Sequence, residues 1–230
     1  MSESVLIVAA HPDDEILGCG GTIARHVAKG DEVNIIILAE GATSRSESGV
    51  GRNHELELDS LGGAAREAAK ILGANTPRFI GLPDNRMDSV DLLEVVKHIE
   101  TAISEFRPAT VYSHHGGDLN IDHQITLRAV MTACRPLPGT TVNRLLAFET
   151  VSSTEWSIPS VDAPFIPNCY VDISDFIETK TAALDAYSME MRTFPHPRST
   201  TNVINLARVR GADVGVEAAE AFMILKEVLR

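Results

Sequence analysis

The stretch LIVAAHPDDEILGCGGT, Leu6 to Thr22, decides how the chain reads. It opens with an unbroken apolar run, as in a central parallel strand covered on both faces. A histidine and a proline follow, then three consecutive acids, Asp13, Asp14 and Glu15. The chain turns apolar again at once, with helical spacing through Ile16, Ile23 and Val27 and a stop at Gly30. Adjacent carboxylates at the end of a core strand repel one another. Burying each costs several kcal/mol unless something pairs it. Either the acids face water or a cation sits among them.

Working outward, Val33–Ala39, Arg78–Ile80, Thr110–Ser113 and Leu145–Glu149 read as further strands. Leu56–Leu72, Val90–Phe106 and Ile121–Cys134 read as helices between them. This alternation predicts an α/β fold: a mostly parallel sheet with helices on both faces. Between the second strand and the helix that follows lies EGATSRSESGVGRNHE, Glu40 to Glu55, polar and long enough to suggest function. Beyond Val151 the pattern loosens. A helix is expected near Ser174–Met191, then the polar RTFPHPRSTTN, then a last helix near Val216–Leu229. One domain over residues 1–230, with an elaborated C-terminal third, is the simplest organisation.

Composition narrows the function classes. The chain has 230 residues, 44% hydrophobic, and a net charge of −12. That acidity disfavours nucleic acid or an anionic membrane surface as partner, since both need a basic footprint. No run approaches the roughly 20 apolar residues of a membrane span. Three scattered cysteines, Cys19, Cys134 and Cys169, suit a reducing compartment and exclude a thiolate zinc site. A cytoplasmic protein is expected.

In open α/β sheets, ligands sit beyond the carboxyl ends of the strands, where HPDDE falls. A solvated acidic helix cap explains each acid singly but neither His11 nor Pro12. A dinucleotide loop is excluded, because GCGGTI lacks the last glycine of GxGxxG and a pyrophosphate there would face Asp13 and Asp14. A metal site needs a third ligand, and SHHGGDLNIDHQ, Ser113 to Gln124, offers one at another strand end. His11, Asp14 and His123 supply two nitrogens and one carboxylate oxygen, a common catalytic zinc set with an open position. Asp122 either supports a metal-binding side chain or caps its helix, the cap being preferred, and His114 and His115 are expected to be hydrogen-bonded walls.

AHPDDE (Ala10–Glu15) and DLNIDH (Asp118–His123) together resemble the two motifs of the PIG-L/LmbE-like zinc-dependent N-acetylglucosamine deacetylases. Weaker similarity runs through LPDN (Leu82–Asn85), FETVSSTEW (Phe148–Trp156), PHPRS (Pro195–Ser199) and AEAF (Ala219–Phe222). The resemblance implies a Rossmann-like fold, Zn2+ or another divalent metal on His11, Asp14 and His123, and Asp13 as general base. It also implies an amino-sugar substrate and often a homo-oligomer.

One position departs from the family. Asn120 stands where the second motif often carries a histidine, and an asparagine amide can donate a hydrogen bond but cannot deliver a proton. Asn120 is expected to meet the oxyanion, and His196 is a candidate acid. Arg52 and Asp118 are candidate substrate contacts, and Trp156 is expected in the core. The expected function is removal of an acetyl group from an N-acetylated amino sugar or its conjugate. The alternative is a metal-dependent hydratase or lyase on a small carboxylate or other non-sugar substrate, using the same site.

Overall fold

The computed structural model describes residues 2–41, 52–158 and 163–229. The opening apolar run forms β1 (Ser4–Ala9), and β2 (Glu32–Ala39), β3 (Arg78–Leu82), β4 (Thr110–His114) and β5 (Arg144–Phe148) lie parallel to it. With β6 (Cys169–Asp172) and β7 (Ala219–Glu227) they make one sheet in the order β3-β2-β1-β4-β5-β7-β6. The order reverses between β1 and β4, so the carboxyl ends of these two neighbours flank the crevice where such sheets bind ligands.

Successive side chains of β1 point to opposite faces. Val5, Ile7 and Ala9 pack with α1 (Asp14–Lys29), α2 (Arg52–Leu72) and α5 (Ile177–Ala186), whereas Leu6 and Val8 pack with α3 (Leu92–Phe106) and α4 (Ile121–Ala133). Helices therefore cover both faces. Among the described residues, no helix is long and apolar enough to cross a membrane.

The C-terminal third departs from the expectation. Val216–Leu229 is not a helix: Ala219–Glu227 is β7, antiparallel to β5 on one side and to β6 on the other. Alanine, glutamate and lysine favour helix weakly, and sheet pairing with burial of Ala219, Ala221 and Phe222 outweighs that preference. The last helix, α6 (Thr200–Ala212), lies earlier, and the Ser199 hydroxyl starts it by accepting from the Asn202 amide at 3.1 Å.

The glycines after the acids serve packing. A Cβ on Gly18 would stand 2.3 Å from the Phe148 ring, and one on Gly21 would stand 2.8 Å from Ile173. Between them α1 breaks at Cys19, whose φ is −148°. The helix resumes under the Glu220 carboxylate, which accepts from the Gly21 and Thr22 amides at 2.9 and 2.7 Å. Lys180 pairs with Glu220 at 2.5 Å and donates to the Leu17 carbonyl at 2.9 Å, all within the interior.

Candidate active site

The turn after β1 brings His11 to Asp14 under the start of α4. His11 Nδ1 lies 3.1 Å from Asp14 Oδ2 and 3.3 Å from His123 Nε2, and His123 Nε2 lies 3.2 Å from Asp14 Oδ2. Nitrogen and oxygen ligands at about 2.0–2.1 Å on the corners of a tetrahedron stand roughly 3.3 Å apart, so three such corners are in place. Asp14 Oδ1 is buried with no hydrogen-bond partner among the described residues. The surroundings favour positive charge at this point. Burial opposes a charged His11, yet hydrogen bonds to Asp122 and Asp14, with the nearby Asp84, push it up to about 10. Asp14 is held well below the usual carboxylate range despite its burial, chiefly by His123 and His114. These residues fit a divalent metal.

A ring of further groups orients these side chains. His11 Nε2 lies 3.0 Å from Asp122 Oδ2 and 3.3 Å from Asp84 Oδ1. A proton held there leaves Nδ1 as the lone-pair nitrogen toward the cluster. Asp122 is not the helix cap that was expected. Its carboxylate accepts from the Asn85 and Met87 amides at 2.7 and 2.9 Å, while Asn120 caps α4 by accepting from the Asp122 amide at 2.8 Å. On the other ligand, His123 Nδ1 lies 3.1 Å from Asp118 Oδ1.

Asp118, expected as a substrate contact, is buried against His123. It is 1% exposed, and its oxygens take the Ser153 hydroxyl, the Thr154 hydroxyl at 2.8 Å and the Asn120 amide at 2.9 Å. His114 stacks on His123 with ring centroids 3.9 Å apart. Its Nε2 accepts from the Ala10 amide at 2.9 Å, and burial and the nearby His123 push its pKa down to about 3, so it is a neutral wall. His115 meets the Ala163 carbonyl at 3.0 Å.

Asp13 sits beside the cluster with φ +105°, a conformation that costs energy outside glycine and recurs at functional sites. Glu15 steadies it. One Glu15 oxygen accepts from the Asp13 amide at 3.1 Å and the other from the Tyr187 hydroxyl at 2.6 Å. The three acids thus divide: Asp14 faces the metal position, Glu15 holds the turn, and Asp13 faces Arg198. Arg198 Nη1 donates to Asp13 Oδ2 at 2.7 Å. Burial pushes Asp13 up to about 7, Asp14 and Glu190 act with it, and Arg198 opposes them.

Sequence reasoning missed Arg198, which lies 185 residues from its partner. The one signal for it was its place in PHPRS. Asn120 Nδ2 donates to Asn85 Oδ1 at 2.9 Å, which leaves its second amide hydrogen. His196 does not join the ligand cluster. Its Nδ1 accepts from the Arg198 amide at 3.0 Å and its ring meets Trp156 edge-on. Trp156 is half exposed rather than core. The Arg52 side chain lies outside the described residues.

A buried His–Asp–His cluster at the switch point of a parallel sheet, with a further carboxylate beside it, is an arrangement that could hold a metal for hydrolysis. A family model described as PIG-L, GlcNAc-PI de-N-acetylase, matches residues 6–134, and the chain belongs to that family. It is 30% identical over 253 residues to the 1D-myo-inositol 2-acetamido-2-deoxy-alpha-D-glucopyranoside deacetylase of Mycobacterium sp. (strain JLS), covering 90% of this chain and 81% of the relative. The fold matches the N,N'-diacetylchitobiose deacetylase of Pyrococcus horikoshii with a TM-score of 0.78 at 21% identity, over 98% of this chain and 84% of that one. It also matches the 4-carboxy-2-hydroxymuconate hydratase GalB of Pseudomonas putida KT2440 with a TM-score of 0.77 at 21% identity, over 99% and 98%. The chain is an N-deacetylase, a hydrolase of an amide C–N bond.

Proposed function

We propose that this chain is a zinc-dependent deacetylase of an N-acetylglucosamine-type sugar or its conjugate, working in a reducing compartment. The observation that carries the proposal is the triangle of His11 Nδ1, Asp14 Oδ2 and His123 Nε2 beside the Arg198-bound carboxylate of Asp13. Two nitrogens and a carboxylate oxygen favour zinc over calcium or magnesium, which prefer all-oxygen shells. Three cysteines without a disulfide, Cys19, Cys134 and Cys169, fit the reducing compartment. Bound there, the metal supplies Lewis acidity toward the amide carbonyl and brings the pKa of water toward about 7.

The residues then share the work. Arg198 holds Asp13 Oδ2, so Oδ1 is the atom left to take the proton of the attacking water. The remaining Nδ2 hydrogen of Asn120 donates to the carbonyl oxygen as negative charge grows on it. When the C–N bond breaks, Asp13 Oδ1 returns its proton to the departing nitrogen, and acetate and a free amine leave. Asn120 has no proton to give.

The test is acetate release from N-acetylglucosamine conjugates. Asp13→Asn should keep its metal and lose about 10²–10⁴-fold in turnover. Asp14→Ala should lose most of the metal, because three ligands become two. Near-normal turnover in the first variant removes Asp13 as base, and full metal content in the second removes Asp14 as ligand. Water addition to a small unsaturated carboxylate is the second reading, favoured by the asparagine at 120 and by the hydratase sharing this fold. Turnover of such a compound without acetate release from any amino sugar would select it.

A further inference from the structure

Among the described residues, four other than glycine have positive φ: Asp13, Asn85, Arg107 and Ser152. Such backbone costs energy, and it clusters at active sites. Arg107 has an ordinary reason, since it closes α3. Asp13 is the base in the proposed reaction, and the Ser152 hydroxyl accepts from Arg198 Nε at 2.8 Å. Asn85, with φ +51°, stands in the turn after β3, and its hydrogen bonds lead to the site through other residues.

A carboxamide has two unlike ends. Its oxygen accepts, its nitrogen donates, and a half-turn of the group exchanges them at little steric cost. Asn120 serves a developing oxyanion only with its nitrogen turned that way, because its oxygen would repel the charge. A chain of hydrogen bonds decides which end is presented. It starts at the buried side chain of Asp84, and an ionised carboxylate accepts but does not donate. Asn85 Nδ2 donates to Asp84 Oδ1 at 2.9 Å, so Asn85 Oδ1 is the end left for another neighbour. That oxygen accepts from Asn120 Nδ2 at 2.9 Å. On its other side, Asn120 Oδ1 accepts from the Asp122 amide at 2.8 Å. The backbone of Asn85 is fastened as well. Its amide donates at 2.7 Å to Asp122 Oδ2, the same oxygen that lies 3.0 Å from His11 Nε2.

We propose that Asn85 is a positioning residue: held by Asp84 and Asp122, it fixes the Asn120 carboxamide with a nitrogen hydrogen toward the reacting carbonyl. The inference rests on the deacetylase reading for the identity of that carbonyl. It also gives the left-handed turn a purpose. Glycine and asparagine both tolerate this φ, but only asparagine brings an amide that accepts from one neighbour while donating to the other.

Asn85→Gly tests it, since that change removes the carboxamide and keeps both the backbone conformation and the amide bond to Asp122. In zinc-loaded protein, kcat for acetate release from N-acetylglucosamine conjugates should fall about tenfold, part of the 10²–10³ that a whole oxyanion donor contributes. KM and metal content should not change. Asn120→Ala should fall further, and adding Asn85→Gly to it should cost nothing more, because Asn85 acts through Asn120. A second readout does not need turnover. The side-chain NH2 signal of Asn120, identified in the amide NMR spectrum by its loss in Asn120→Ala, should shift and exchange faster with solvent in Asn85→Gly.

An Asn120 signal unmoved by Asn85→Gly overturns the inference. So does an equal loss of kcat from Asn85→Gly with and without Asn120→Ala, and so does an unchanged kcat in Asn120→Ala, which leaves no donor to position. Acetate release with an unmoved signal keeps the deacetylase reading and removes the role of Asn85. A shifted signal, with the same kcat pattern in hydration of an unsaturated carboxylate and no acetate release, does the reverse.

Discussion

Arg198 answers a difficulty that the three adjacent acids create. Asp13 is buried beside Asp14 and near Glu190, and burial, the largest effect, pushes its pKa upward while the guanidinium pulls it down. As the proposed base, Asp13 must be deprotonated to accept a proton, so activity should rise with pH as it ionises. Arg198→Ala removes the guanidinium paired with this carboxylate. The acid limb of kcat/KM should therefore move to higher pH, as a profile on metal-saturated protein will show; an unmoved limb means that Asp13 is not the titrating base. Glu15 makes a second prediction at this scale. Glu15→Ala strands the Tyr187 hydroxyl and the Asp13 amide, at about 1–3 kcal/mol for each buried group left unpaired. Urea unfolding measures that loss. The grouping of His11, Asp14 and His123 was legible because it needs only residue type and position at strand ends. Arg198 and Asp84 were not, because nothing in local pattern says which distant side chain faces an acid.

At the scale of elements, α1 depends on a distant part of the fold. It starts at a strained residue, breaks at Cys19 and resumes only because Glu220 accepts from two of its free amides. Glu220→Ala removes both bonds and leaves Lys180 with no carboxylate in the interior. Breaking such a buried pair costs about 3–5 kcal/mol, and a double variant with Lys180→Met should recover part of it. A thermal scan that shows the single and double variants equally destabilised would mean that Lys180 is not stranded. The strand-helix alternation up to β5 was readable because parallel strands are apolar throughout and their helices carry one apolar stripe. The end of the chain was misread for the opposite reason. AEAFMILKE carries residues suited to either state, and its place between β5 and β6 decides for strand.

For the whole molecule, the metal position joins the turn after β1 to the start of α4, segments about a hundred residues apart that meet because β1 and β4 are neighbours. A cation held there binds the folded chain and not the unfolded one. At a hundred times its dissociation constant it adds about 2.7 kcal/mol of stability. Chelation should therefore lower Tm by roughly 5–10 °C for a chain of this length, and returning zinc should restore it. Asp14→Ala should show no such response. An equal response in that variant would place the stabilising ion elsewhere.

Glu220 also sets an order of events. Its carboxylate reaches the Gly21 amide across 199 residues of sequence. While the chain is being made, residues 11–22 leave the ribosome well before the anchor that lets their helix resume, which follows Gly21 by 199 residues. The HPDDE turn thus acquires its final shape only after a segment about two hundred residues further on has been made and has folded back onto it.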